Sequence, residues 1–197
     1  MSVTSRFLDA FALAFELHQN HNRKGSDIPY ITHLMAVSSL VGEYGGTEDQ
    51  MIAALLHDAI EDQGGPEARE KIRAHFNDHI VRLVDACTDT DEDPKPPWRH
   101  RKEKHLKSIE SASDEVRLII AADKLHNVRS IMIDLRERGQ EVWSIFSGKR
   151  KGSLWYYREI VNALAHEWDH PILSALADDV QMLHDLDEMA REAAEDR

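Results

Sequence analysis

The sequence predicts an all-α fold, a single compact bundle of about ten helices built from residues 1–197. Three observations carry this. Apolar residues recur at helical spacing along the chain with no convincing strand alternation, and Gly, Pro and short polar residues punctuate them. Two runs, 52–60 and 116–122, are too apolar to lie in water. Each of those runs ends abruptly in ionisable side chains.

The first helix is expected over about residues 4–21, with Phe7, Phe11, Ala14, Phe15 and His18 on one core-facing stripe. The polar stretch 22–27 breaks it. A second helix follows Pro29-Tyr30-Ile31, with Thr32 as its predicted N-cap, and Gly45-Gly46 ends it near Tyr44. Thr47-Glu48-Asp49-Gln50 reads as a capping box opening a third helix that runs to Gly64. Two short helices are expected over 67–76 and 78–87, then an acidic, Pro-rich loop over 88–97.

A basic helix is expected from Trp98 to about Ile109, and Ser113 caps a long apolar helix stopping near Gly139. Residues 148–152 read as a basic loop, free to act as a mobile phosphate clamp or to lie solvated. A helix over 153–168 and a last one after Pro171 complete the chain. Ile172, Leu176, Val180 and Leu183 make the last helix amphipathic, and a homo-oligomer through that face is one reading of the pattern.

Bulk properties narrow the function. With 42% hydrophobic and 30% charged residues the chain is long enough and apolar enough to build a core. A net charge of -12 argues against nucleic acid or an anionic membrane as partner, because both need a broadly positive face. No segment is apolar over the length of a membrane span, and residues 1–6 lack a secretory pattern, so a cytoplasmic location is expected. Cys87 is the single cysteine and excludes an intrachain disulfide; it reads as a small core residue.

The chemistry is concentrated where the apolar runs end. In Leu55-Leu56-His57-Asp58-Ala59-Ile60-Glu61-Asp62, a continuous helix sets His57 with Glu61, and Asp58 with Asp62, as i, i+4 neighbours. One such pair is simply accommodated by a solvated helix end. Asp123, closing the second apolar run, taken alone is simply accommodated by an ion pair. Together with His33, near the start of its own helix, they make a mixed nitrogen and oxygen set suited to Mn²⁺ or a similar ion.

These segments, with Arg23-Lys24, Pro29-Tyr30-Ile31-Thr32-His33 and Ala122-Asp123-Lys124-Leu125-His126-Asn127-Val128-Arg129, resemble the HD-domain metal-dependent phosphohydrolases. Among these, the chain is most similar to the RelA/SpoT hydrolase domain and the stand-alone small alarmone hydrolases. The resemblance implies one HD-type domain with core motifs over about 18–165 and a C-terminal helix. It implies removal of the 3′-pyrophosphate from guanosine 3′,5′-bis(diphosphate) (ppGpp) and related alarmones, with Mn²⁺ as cofactor. It assigns His33, His57, Asp58 and Asp123 as metal ligands, and Glu61 and Asp62 as the pair that handles the attacking water and the leaving group.

The same resemblance places Arg23, Lys24, Asn127, Arg129 and Tyr156 around the small-molecule nucleotide, with Arg101 and Lys102 contributing from the basic helix. No synthetase or regulatory segment is recognisable, so hydrolysis alone is expected. Where family members carry a lysine ahead of the Asp123 motif, this chain has Ile120, which bears on substrate choice. Two other readings remain open: hydrolysis of another nucleotide such as ppApp or NADPH, and a nucleotide-binding module without turnover.

Overall fold

Thr4 accepts a hydrogen bond from the Arg6 amide and so caps the first helix, α1 (Ser5–His18). In the computed structural model, which describes residues 2–90, 92 and 94–195, it is followed by α2 (Ile31–Glu43), α3 (Glu48–Leu56), α4 (Ala59–Asp62), α5 (Pro66–His75) and α6 (Asp78–Cys87). Then come α7 (Trp98–Glu110), α8 (Asp114–Arg138), a 3₁₀ segment (Gly139–Ile145), α9 (Lys149–Leu164) and α10 (Pro171–Glu195). The fold is all-α, and among the described residues β-type pairing is confined to an isolated bridge between Asn22 and Pro29. Asp91 and Asp93 of the predicted acidic loop lie outside the described residues. No helix among those described is long and apolar enough to cross a membrane.

The chain divides into two compact units, Met1–Pro96 with Ala112–Asp123, and Pro97–Ser111 with Lys124–Arg197. In the first, α3 packs on α1, α2 and α6. The capping box is formed as expected, with Gln50 N–H donating to Thr47 Oγ1 and Gln50 Oε1 accepting from Thr47 N–H. Glu48 and Asp49 sit in the first turn, where the helix dipole favours negative charge, and Arg6 pairs with both. Ile52, Leu55 and Leu56 are fully buried, each stabilising the fold by about 1.5–3 kcal/mol. Val116, Leu118, Ile119, Ile120, Ala121 and Ala122 of α8 are buried on all sides, so this unit's share of α8 is a core helix.

Several expectations are corrected. The first helix ends at His18, and its buried face is Ala10, Leu13, Ala14 and His18; Phe15 is 51% exposed and leaves the predicted aromatic stripe. Thr32 lies inside α2 rather than capping it, its hydroxyl donating to the Pro29 carbonyl at 2.8 Å. The predicted third helix stops at Leu56 and resumes at Ala59. Asp58 sits at φ −96°, ψ −1°, and the His57 ring turns back to the Ala54 carbonyl, so the unbroken i, i+4 rows do not form.

In the second unit α7 packs on α9, and α10 packs on α9 and on the 3₁₀ segment. Ile172, Leu176, Val180 and Leu183 are buried within this chain, which accounts for the amphipathic pattern without a second copy. The predicted basic loop is instead helical from Lys149 onward. Two things fix it. Lys149 Nζ donates to the Ser144 carbonyl at 3.0 Å, and Arg150 Nε donates to Asp187 Oδ2 at 2.7 Å. Gly148 and Gly152 bring this turn against the Trp98 ring, and a Cβ on Gly148 would lie 2.6 Å from Trp98 Cζ2. A rigid indole cannot yield as a flexible side chain does, so Gly148→Ala is expected to destabilise by about 1–3 kcal/mol, measurable by denaturant unfolding.

Candidate metal centre

Side chains from three parts of the first unit converge on one point. His33 comes from the first turn of α2, His57 and Asp58 from the break between α3 and α4, and Asp123 from α8. The ligating atoms of His33, His57 and Asp58 all lie within 4.8 Å of one another. Asp123 Oδ1 is 3.2 Å from His33 Nε2 and 3.6 Å from His57 Nε2, while Asp58 Oδ2 is 3.7 Å and 3.0 Å from the same two nitrogens.

The tautomer of His57 follows from its neighbour. Its Nδ1 lies 2.8 Å from the Ala54 carbonyl, which can only accept, so Nδ1 carries a proton and Nε2 faces the carboxylates. That Nε2 is buried and finds no hydrogen bond of good geometry, although two carboxylate oxygens stand beside it. Burial works against a charged His57, but Asp58 and Asp123 outweigh it and hold its pKa well above the ordinary value. Burial pulls His33 the other way, below the ordinary value, with Asp123 opposing. Burial would raise Asp58, yet the His57 charge keeps it below the usual carboxylate range. A proton on His57 thus offsets the carboxylates, a task a divalent cation would perform with better directional bonds. Two imidazoles and two carboxylates meeting in this way fit such an ion.

Glu61 and Asp62 follow at the end of α4. Lys95 Nζ donates to Glu61 Oε1 at 3.0 Å and approaches Asp62 Oδ1 at 3.5 Å, and the Asp89 amide donates to Glu61 Oε2 at 3.2 Å. Burial, then the Asp58 and Glu61 charges, push Asp62 up to about 6, with Lys95 working against them. Lys95 was not legible as a site residue. Its one signal is that it is a lone cation within an acidic, Pro-rich segment.

Tyr30, at the foot of α2, donates its hydroxyl to Asp58 Oδ2 at 2.6 Å. Burial and the adjacent Asp58 push its phenol far above the ordinary range, so it stays a donor. His18 and His21 stack on this ring.

The predicted nucleotide residues divide between the units. Arg23 and Lys24 belong to the first, where the Arg23 guanidinium lies 5.8 Å from the Tyr30 ring centroid and Lys24 is exposed. Arg101, Lys102, Asn127, Arg129 and Tyr156 belong to the second. There Lys102 Nζ stands 4.8 Å over the buried Tyr156 ring, and Arg129 Nε donates to Asp179 Oδ2 at 2.7 Å. Arg99, not singled out in the sequence, stacks on Trp155 at 3.3 Å.

Comparison with known proteins agrees with this geometry. The HD domain profile matches residues 10–154. The guanosine-3′,5′-bis(diphosphate) 3′-pyrophosphohydrolase MESH1 of Xenopus tropicalis is 34% identical over 146 residues, covering 73% of this chain and 76% of that one. Its Homo sapiens counterpart is 32% identical over the same coverage. The solved structure of a metazoan SpoT ortholog superposes with a TM-score of 0.77 at 24% identity, over 94% of this chain and 99% of its own, and so shares the fold. The HD domain profile thus spans well over half of the chain, His57-Asp58 within it, and this chain belongs to the HD-domain family.

Proposed function

We propose that the chain is a metal-dependent hydrolase that removes the 3′-pyrophosphate from ppGpp, with Mn²⁺ as its ion. The observation that carries this is the Glu61–Asp62 pair, bridged by Lys95, on the single-turn α4 that follows His57-Asp58, beside the His33, His57 and Asp58 cluster that Asp123 also approaches. Binding alone needs no carboxylate pair beside the cluster, and without metal burial and the Asp58 and Glu61 charges already raise Asp62 to about 6, a group placed to handle a proton. Relatives named for this reaction support the substrate.

His33, His57, Asp58 and Asp123 hold the ion, which when bound lowers the pKa of water and polarises the phosphoryl group. Glu61, anchored by Lys95 and the Asp89 amide, orients the attacking water. Asp62 takes or returns the proton, so that water replaces the 3′-ester oxygen and the products are a nucleoside 5′-diphosphate with a free 3′-hydroxyl, and pyrophosphate. Arg23, Lys24, Arg101, Lys102, Asn127, Arg129 and Tyr156 are assigned to the nucleotide, Arg129 after release from Asp179. The chain works as one HD-type domain. The expected compartment is the cytoplasm.

The test is pyrophosphate release by Mn²⁺-loaded protein from ppGpp, with ppApp and NADPH in parallel. Release from ppGpp supports the reading, and its absence with turnover of another of the three reassigns the substrate. Glu61→Gln is expected to keep the metal while losing about 10²- to 10⁴-fold in kcat, the span of general acid–base assistance. Full activity in that variant would remove Glu61 from the mechanism.

A further inference from the structure

We propose that Tyr30 is a positioning residue of the metal centre: its hydroxyl fixes the Asp58 carboxylate for the ion, while His21 and His18 hold its ring in place. This rests on the reading of Asp58 as a metal ligand. Three observations carry it.

The first is the hydroxyl's partner. At 2.6 Å the Tyr30 to Asp58 contact has the length of a charge-assisted O–H···O⁻ bond. It falls on Oδ2, the same oxygen that faces His57 Nε2 at 3.0 Å and His33 Nε2 at 3.7 Å. A carboxylate turns about a broad, soft torsion. A bond to one of its oxygens selects the orientation that presents that oxygen to the two imidazoles, and ligating carboxylates held in this way bind their ions more tightly.

The second is how the ring is held. The Tyr30 ring stacks on His21 with centroids 4.0 Å apart and planes at 11°, and on His18 at 5.3 Å and 14°. His33 meets its edge at 5.4 Å. His18 is buried at 2% exposed, while His21 and Tyr30 are half-buried, so the stack is anchored on its inner side. The third is the backbone. Tyr30 N–H donates to the His21 carbonyl and Arg23 N–H to the Ile28 carbonyl, both at 2.8 Å, so Tyr30 and His21 are tied through main chain as well as through rings. Stacking alone would be served by phenylalanine. The hydroxyl is the part that the packing does not require.

Tyr30→Phe keeps the ring and removes the hydroxyl. The full chain, stripped of metal, is titrated with Mn²⁺ by calorimetry, and melting is followed separately without metal. Tyr30→Phe is expected to weaken the Mn²⁺ dissociation constant by about 10- to 100-fold, the usual effect of removing a partner behind a ligand. Its metal-free melting temperature is expected to stay within about 4 °C of the parent. His21→Ala, which loosens the ring and leaves the hydroxyl, is expected to weaken binding less. An unchanged dissociation constant in Tyr30→Phe would overturn the proposal and leave the metal reading standing. A larger fall in metal-free melting would assign the hydroxyl to the fold and overturn it as well. If the parent protein bound neither Mn²⁺, Co²⁺ nor Mg²⁺, both readings would fall together.

Discussion

Asp58→Ala is expected to abolish stoichiometric divalent-ion binding and to lower pyrophosphate release from ppGpp by at least about 10³-fold, a loss of roughly 4 kcal/mol of transition-state stabilisation. The size follows from how much meets at this residue. Its Oδ2 faces both imidazoles, accepts the Tyr30 hydroxyl, and supplies much of the field that keeps His57 charged without metal. Alanine removes a candidate ligand and leaves three, and nothing else in the cluster reaches its place. Metal content by elemental analysis, with helical circular dichroism as a check on folding, separates loss of the ion from loss of structure. Retained metal in Asp58→Ala would mean that the ion sits elsewhere.

The largest effect on stability is expected far along the chain. Asp187 of α10 is completely buried, and its carboxylate accepts from Trp143 Nε1 at 2.8 Å, Gln140 Nε2 at 3.0 Å and Arg150 Nε at 2.7 Å. Asp187→Ala leaves the buried Trp143 indole N–H without its acceptor and removes the Arg150 pair, while Gln140 keeps the Asp187 carbonyl and Arg150, a third exposed, turns to water. Losing a buried acceptor with its charge-assisted bond costs about 2–4 kcal/mol, which for a chain of this size lowers the melting temperature by on the order of 10 °C. The same site has a signature in acid. Burial would raise the Asp187 pKa, but its three donors outweigh it and hold it below the ordinary value. The unfolded chain therefore takes up that proton first. The carboxylate's contribution is complete above an unfolded pKa of about 4 and is lost as pH falls through the lower folded value. Asp187→Asn should accordingly be less stable than the parent at neutral pH, with a flatter acid limb. An identical acid limb in the two proteins would count against the assignment.

What the sequence revealed, it revealed through local contrast. Leu55-Leu56 running into His57-Asp58 at the end of α3, and Ile119 to Ala122 running into Asp123 within α8, mark polar groups where apolar runs stop, and the structure brings those groups together with His33. The break at His57-Asp58 was hidden because neither glycine nor proline marks it; it follows from a ring turning back to the Ala54 carbonyl. Lys95 was hidden because pairing across 34 residues has no periodic trace. Arg150 was misplaced in a loop for the same reason, since its partner Asp187 lies in another helix. Phe15 looked like core because an aromatic on an amphipathic helix counts as apolar whichever side of the stripe it borders.

The bridge between Asn22 and Pro29 gives the segment between them an independence of its own. Its two ends are already tied before Tyr30 reaches Asp58, so changes in the intervening residues are absorbed inside a closed loop. Doubling the length of such a loop adds only about 0.6 kcal/mol of closure entropy. Changes at the exposed Lys24 are therefore separable from the metal ligands, whereas Arg23, against the Tyr30 ring and within reach of the His33 charge, is coupled to them. The hinge between changeable recognition and fixed chemistry lies at one aromatic ring.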